Sequence, residues 1–340
     1  ITVKQIVLAE TLHHSYLPDG KGAAKTESLT QPDDIATLGG NLYVGFQNGV
    51  GSQGEASASG NLDSTLLEFT RTGSVVNQWD VTGKIDGLGA DSATGQVIAT
   101  VNEDAKSSLY AVSGATVTHY TYTPSLPHLG GTDAVTVDNG KILIVASAPG
   151  TSGKAPASAP AVYAVTLNAG AKTAAVTPFF ADNATVTGVD APNAGKKVAL
   201  ALTDPDSNGV VPASSPAFPG DFMLNAQGDQ QLIFSGASGQ NLQALKISNS
   251  VDDIAFATSA SGSLFATDSG ADTVDAITGS FTAGTAYTSV TPCNANSAPT
   301  ICPAPGYPAN SLGTIDLKTG AIGQVTVTGP LAPKGMIFVP

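Results

Sequence analysis

The sequence predicts an all-β chain built from one repeated antiparallel unit, and three observations carry that reading. No window places apolar residues at i, i+3, i+4 and i+7 over three turns, whereas short alternating runs abound. Gly and Pro, 38 and 21 of 340 residues, interrupt most stretches that could be helical. A strand start with a polar residue, a small or acidic residue and then an apolar run recurs along the whole chain. Four antiparallel strands per repeat is the pattern of a β-propeller blade. A β-sandwich would not repeat one four-strand unit, and a β-helix repeat is much shorter.

The recurring start is read six times: Pro32-Asp33-Asp34-Ile35-Ala36, Ile85-Asp86-Gly87-Leu88-Gly89, Thr132-Asp133-Ala134-Val135-Thr136, Val186-Thr187-Gly188-Val189, Val251-Asp252-Asp253-Ile254-Ala255 and Pro333-Lys334-Gly335-Met336-Ile337. After a Gly- or Asn-containing turn, each of the first five is followed at hairpin spacing by a second apolar strand. These strands are expected at 42–46, 97–101, 142–146, 198–202 and 264–267. Third strands are expected at 66–69, 109–112, 162–167, 274–277 and 314–317, most of them closed by a Gly turn such as Arg71-Thr72-Gly73 or Lys318-Thr319-Gly320. Fourth strands follow at 75–81, 117–122 and 322–327. Six inner strands predict six blades in one domain over 1–340, with five or seven as alternatives, because the last copy lacks its own second and third strands while 274–327 holds more strands than one blade needs. The N-terminal strand 1–8 is expected to complete the sheet of the C-terminal strand 335–339, which removes two exposed sheet edges. Four insertions, 48–63, 149–160, 204–221 and 292–310, belong on the faces of such a ring.

Charge narrows the function classes. Fourteen Lys and Arg against 27 Asp and Glu, net −13, exclude a nucleic-acid partner, which requires clustered cations. The longest apolar runs, such as 198–202 and 142–146, are far short of the roughly 20 residues that span a bilayer. Cys293 and Cys302, the only cysteines, flank a short Pro-rich loop and read as a disulfide, which implies an oxidising compartment. The chain starts at Ile1 without Met, as one relieved of a signal peptide or otherwise trimmed would. The expected location is therefore secreted, extracellular or periplasmic.

The pairs Asp33-Asp34-Ile35-Ala36 with Asn41-Leu42-Tyr43-Val44, and Asp252-Asp253-Ile254-Ala255 with Leu264-Phe265-Ala266-Thr267-Asp268, resemble the strand-turn-strand core of NHL-type propeller repeats. The resemblance covers parts of most units. It departs from the pattern in lacking the usual Gly in copies one, three and five, and the basic ligand-binding residues of some NHL proteins. It implies the propeller fold, six blades, and a scaffold used for binding or for hydrolase and lyase chemistry.

Aligning the six copies places Asp33, Asp86, Asp133, Thr187, Asp252 and Lys334 at one position near the channel. Carboxylates facing one axis repel, and a divalent cation held by oxygen ligands would relieve them. The competing reading has each Asp accepting backbone N–H groups between blades, an architectural role. Asp204-Pro205-Asp206-Ser207-Asn208-Gly209 matches the opening of a calcium loop, with Asp221 as a later oxygen; the Glu of an EF-hand is missing because Ser215 stands there. Asp-Pro and Asn-Gly are also plain turn signals. Asp268, Asp272 and Asp275 form a second acidic cluster, and His13-His14 a candidate metal pair that only a loop could aim at one ion. No nucleophile elbow, Walker loop or dinucleotide fingerprint is present.

The reading that follows is a secreted, non-enzymatic propeller that binds or scaffolds an extracellular protein or glycan, or self-associates, with structural Ca²⁺ and no other cofactor. The alternative is a metal-dependent hydrolase or lactonase with a divalent ion in the channel, Glu10 and the channel aspartates taking the roles of metal ligands by analogy.

Overall fold

The structure, a computed structural model, describes residues 1–127, 129–147, 159–291 and 310–340. The cysteine pair Cys293 and Cys302, most of two insertions and His128 lie outside them. Strand occupies 54% of the chain and helix 2%, so the all-β expectation holds.

The pairings sort into six antiparallel four-strand units, written here from inner to outer strand. Unit 1 is Pro32–Leu38, Asn41–Phe46, Asp63–Phe69 and Val75–Thr82. Unit 2 is Ile85–Asp91, Gln96–Val101, Ser108–Ser113 and Thr116–Thr123. Unit 3 is Thr132–Asp138, Lys141–Ala146, Pro160–Asn168 and Thr173–Ala181. Unit 4 is Pro205–Val210, Phe222–Ala226, Gln231–Ser235 and Gln243–Lys246. Unit 5 is Val251–Phe256, Ala286–Val290, Ser311–Ile315 and Ile322–Gln324. Unit 6 is Met336–Val339, Ser263–Asp268, Thr273–Thr278 and the N-terminal Thr2–Leu8. Each inner strand lies beside the next, and that of unit 6 lies beside that of unit 1, which closes the propeller ring.

The core has the same symmetry. Six apolar clusters each fill the space between two successive units, for example Leu66, Leu88, Val97 and Tyr110 between units 1 and 2, and Ile35, Leu42, Phe265 and Val274 between units 6 and 1. No unit can bury both faces alone, and closing the ring covers both faces of every sheet. Side-chain to backbone bonds cross every one of these boundaries. Ser64 Oγ accepts the Ile85 N–H at 2.9 Å, Thr100 Oγ1 donates to the Asp133 carbonyl at 2.5 Å, and Asn208 Nδ2 donates to the Leu143 carbonyl at 3.4 Å. Asn225 Nδ2 donates to the Val251 carbonyl at 2.8 Å, Asp253 Oδ2 accepts the Met336 N–H at 2.6 Å, and Thr267 Oγ1 donates to the Asp33 carbonyl.

Two expectations are corrected. The fourth copy, Val186–Val189 with 198–202, is not an inner hairpin. Thr185–Gly188 pairs parallel with the outer strand of unit 4 and antiparallel with Lys197–Ala199, a peripheral addition, so Thr187 does not reach the channel. The inner strand of unit 4 is instead Pro205–Val210, within the segment read as an insertion. Second, 264–267 does not fold back on 251–255. Units 5 and 6 interleave: Val251–Phe256 pairs with Ala286–Val290, while Ser263–Asp268 and Thr273–Thr278 cross to unit 6, where Met336–Val339 supplies the inner strand. The strands in excess over 274–327 and the missing strands of the last copy are therefore one and the same exchange. The N-terminal strand pairs with Thr273–Thr278 in the sheet that also holds Met336–Val339.

Candidate functional site

The inner strands share a local defect that aims their aspartates. In units 1 to 5 the pairing with the second strand slips between Pro32 and Ile35, Ile85 and Gly87, Thr132 and Val135, Pro205 and Asn208, and Val251 and Ile254. Such bulges re-aim side chains. They hold Asp33, Asp86, Asp133, Asp206 and Asp252, and all five line one axial cavity of about 520 Å³ together with Asp34, Glu103, Asp204, Asp253 and Lys334.

The second aspartate of each Asp-Asp pair is architectural. Asp34 accepts the N–H groups of Ile35 at 2.7 Å and Leu88 at 2.5 Å, and Asp253 those of Ile254 at 2.7 Å and Met336 at 2.6 Å, so each ties its inner strand to the next. The first aspartates differ in how well they are satisfied. Asp33 accepts from Gln47 Nε2 at 2.7 Å and is ion-paired with Lys334; Asp252 accepts from Gln227 Nε2 at 3.2 Å. Gln47 and Gln227 occupy the same place, one residue beyond the second strands of units 1 and 4.

On the other side, Asp86, Glu103 and Asp133 each offer an oxygen within 4.8 Å of the other two. Lys84 is ion-paired with Glu103 and stands 3.9 Å from Asp86. Ser147 Oγ of unit 3 holds the Glu103 carbonyl, and a Cβ at Gly131 would sit 1.8 Å from that oxygen, so only glycine lets the Glu103 loop lie against unit 3. Asp133 is 6% exposed, and among the described residues no hydrogen bond or ion pair reaches its carboxylate. Buried Asp206 Oδ2 and Asn208 Oδ1 also lack a partner among the described residues. Burial, then the charges of neighbouring carboxylates, pushes the Asp86, Asp133 and Asp206 carboxyls well above the usual range, and Asp204 up to about 6. Asp253 is pushed up to about 7, chiefly by burial.

The residues read as a calcium loop do not form one. Pro205–Val210 is a strand, which sends Asp204, Asp206 and Asn208 to the cavity wall, whereas Asp221 sits beside Val211 at the far end of the hairpin and is not on that wall. Pro is tolerated as the first residue of a strand, and Asn208 and Gly209 pair in register with Leu224 and Met223 rather than turning the chain. Asp268 and Asp272 serve turns and neighbouring loops through the N–H groups of Gly270, Ala271, Ala332 and Gln31, and Asp275 accepts from Thr273. His13 and His14 point apart on the strand His13–Tyr16. His14 is buried between Glu27, 3.2 Å away, and Asp80, 3.4 Å away. Glu10 is exposed on a short turn and is not on the cavity wall.

Sequence reasoning missed Asp206 as a ring member, although Pro205-Asp206 repeats Pro32-Asp33. Glu103 and Lys84 lie outside the repeated motif, which gives neither a place in the ring.

No known protein family profile matches the chain, and no curated protein matches it. Among solved structures, a chain of a nidogen/laminin complex superposes with a TM-score of 0.51 at 8% identity, covering 99% of this chain and 97% of that one. A Bacteroides thetaiotaomicron protein of unknown function gives 0.47 at 11% identity; the chain spans 65% of its length and 97% of its own. Virginiamycin B lyase from Staphylococcus aureus, crystallised with quinupristin, gives 0.46 at 11% identity over 95% of this chain and 77% of that one. At 8% identity the likeness to the nidogen/laminin chain is one of fold, and the fold is the β-propeller.

Proposed function

We propose that this chain is an exported, non-enzymatic binding propeller of NHL-like repeat type whose axial cavity holds a divalent cation of the calcium or magnesium class. One observation carries the cation: three carboxylate oxygens of Asp86, Glu103 and Asp133 converge within 4.8 Å, and the buried Asp133 has no donor among the described residues. Hard cations take such oxygen ligands, several of them anionic, and would replace the protons that burial and neighbouring carboxylates favour on Asp86 and Asp133. Export rests on the spacing of Cys293 and Cys302. The bound partner is read as an extracellular protein or glycan, or a second copy.

The test is elemental analysis of the purified protein with thermal melts in the presence and absence of EDTA. Bound calcium or magnesium and a lower melting temperature in EDTA are expected, because a ligand of the folded state alone stabilises it by mass action. Metal-free protein whose melting is unmoved by EDTA or added calcium overturns the reading.

A second reading, metal-dependent ester or lactone hydrolysis, is favoured by Asp204. Its carboxyl, at about 6, lies on the same wall, where a base near neutrality is useful. Turnover of simple esters or lactones, lost in Asp204→Asn, selects it over the first.

A further inference from the structure

The six ring positions are five aspartates and one lysine, and the lysine divides the ring. Lys334 stands two residues before the inner strand of unit 6, at the position where the other units carry Asp33, Asp86, Asp133, Asp206 and Asp252. Its backbone is fixed: the Lys334 N–H donates to the Thr267 carbonyl at 2.8 Å and the Gly335 N–H to Thr267 Oγ1 at 2.9 Å. At Gly335 a Cβ would lie 2.4 Å from the Asp33 carbonyl oxygen and 2.9 Å from Asp34 Cα, so glycine is what allows this close approach to unit 1. The ammonium is thereby delivered to the Asp33 carboxylate, which Gln47 holds from its other side.

The two halves of the ring then differ. Around Lys334, Asp33 has two partners, Asp252 has Gln227, and Asp34 and Asp253 have backbone donors. Across the cavity Lys84 serves Glu103 and Asp86, whereas Asp133 is buried and without a donor among the described residues, and Asp206 Oδ2 likewise. We propose that Lys334 is a resident counter-cation occupying a latent second cation site between Asp33 and Asp252, and that it thereby confines divalent binding to the side of Asp86, Glu103 and Asp133. This rests on the cation reading above and adds to it the residue that sets how many ions bind.

Calcium titration calorimetry on the wild-type protein, Lys334→Met and the double variant Lys334→Met/Asp33→Asn tests it. The wild type takes a single ion, Lys334→Met takes a second, and the double variant, deprived of one carboxylate of the latent site, returns to one. A folded Lys334→Met with the wild-type stoichiometry overturns the inference while leaving the cation reading intact. A wild type that binds no calcium or magnesium overturns the cation reading itself, and the inference with it. Where Lys334→Met does not fold, Lys334→Gln, which keeps a donor to Asp33, takes its place with the same two outcomes.

Discussion

Asp34 accepts the backbone N–H of Leu88 at 2.5 Å, and through that bond the inner strand of unit 1 is fastened to that of unit 2. Asp33, one residue earlier, faces the axis instead. The pairing slip between Pro32 and Ile35 separates the two roles, so adjacent identical residues serve architecture and site respectively. Asp253 and Asp252 repeat the division at the boundary of units 5 and 6.

Removing the strut has a defined cost. Asp34→Ala leaves the Leu88 and Ile35 N–H groups without their acceptor, and an unsatisfied buried donor costs about 1–3 kcal/mol. Asp34→Ala is expected to unfold at lower urea with an unchanged slope; a midpoint equal to wild type contradicts the role.

Close approach of the inner strands predicts a glycine contrast. A Cβ at Gly87 would meet the Asp133 carbonyl oxygen at 2.5 Å and Ala134 Cα at 2.7 Å, whereas one at Gly209 meets nothing within 4 Å. Overpacking costs roughly 1–3 kcal/mol. Gly87→Ala should therefore destabilise by about that amount and weaken calcium binding by displacing Asp133, while Gly209→Ala is neutral in both measurements.

His14 gives the pH dependence. Burial works to lower its pKa from 6.5, but the hydrogen bonds and charges of Asp80 and Glu27 outweigh burial and raise it. A raised folded pKa means that the charged clasp contributes fully below the unfolded value and is lost as pH climbs through the folded one. Melting temperatures followed from about pH 5 to about pH 9 should fall more steeply across that window in wild type than in His14→Gln. Parallel curves would sink the assignment.

Phe234 is fully buried and stacked on Phe218 at 3.8 Å between ring centroids. Phe234→Ala is expected to cost about 3–5 kcal/mol, read by chemical denaturation. A loss below about 1 kcal/mol would show that the boundary of units 4 and 5 repacks.

Units 1 to 3 were legible from sequence because their strands are local hairpins with alternating patterns and Gly turns. The interleaving of units 5 and 6 was not: the spacing from Phe256 to Ser263 fits a hairpin, and alternation cannot say whether the next strand folds back or crosses to the neighbour. Asp204-Pro205-Asp206-Ser207-Asn208-Gly209 carries real turn propensity, and ring closure overrides it, since unit 4 needs an inner strand. At the site, Asp33, Asp86, Asp133 and Asp252 were legible because the motif repeats them. Glu103 and Lys84 are placed by tertiary contacts at the boundary of units 2 and 3, through Asn102 and Ser147, and no local pattern marks them.

The central claim is that the side of the acidic ring formed by Asp86, Glu103 and Asp133 is built for a divalent cation, and Asp133 is its sharpest test. Calcium binding to wild type and Asp133→Asn, measured by calorimetry at one pH and salt, decides it. The account predicts binding by wild type and at least a tenfold loss in the variant, about 1.4 kcal/mol. Equal affinity in the two proteins, or no binding by wild type, contradicts it.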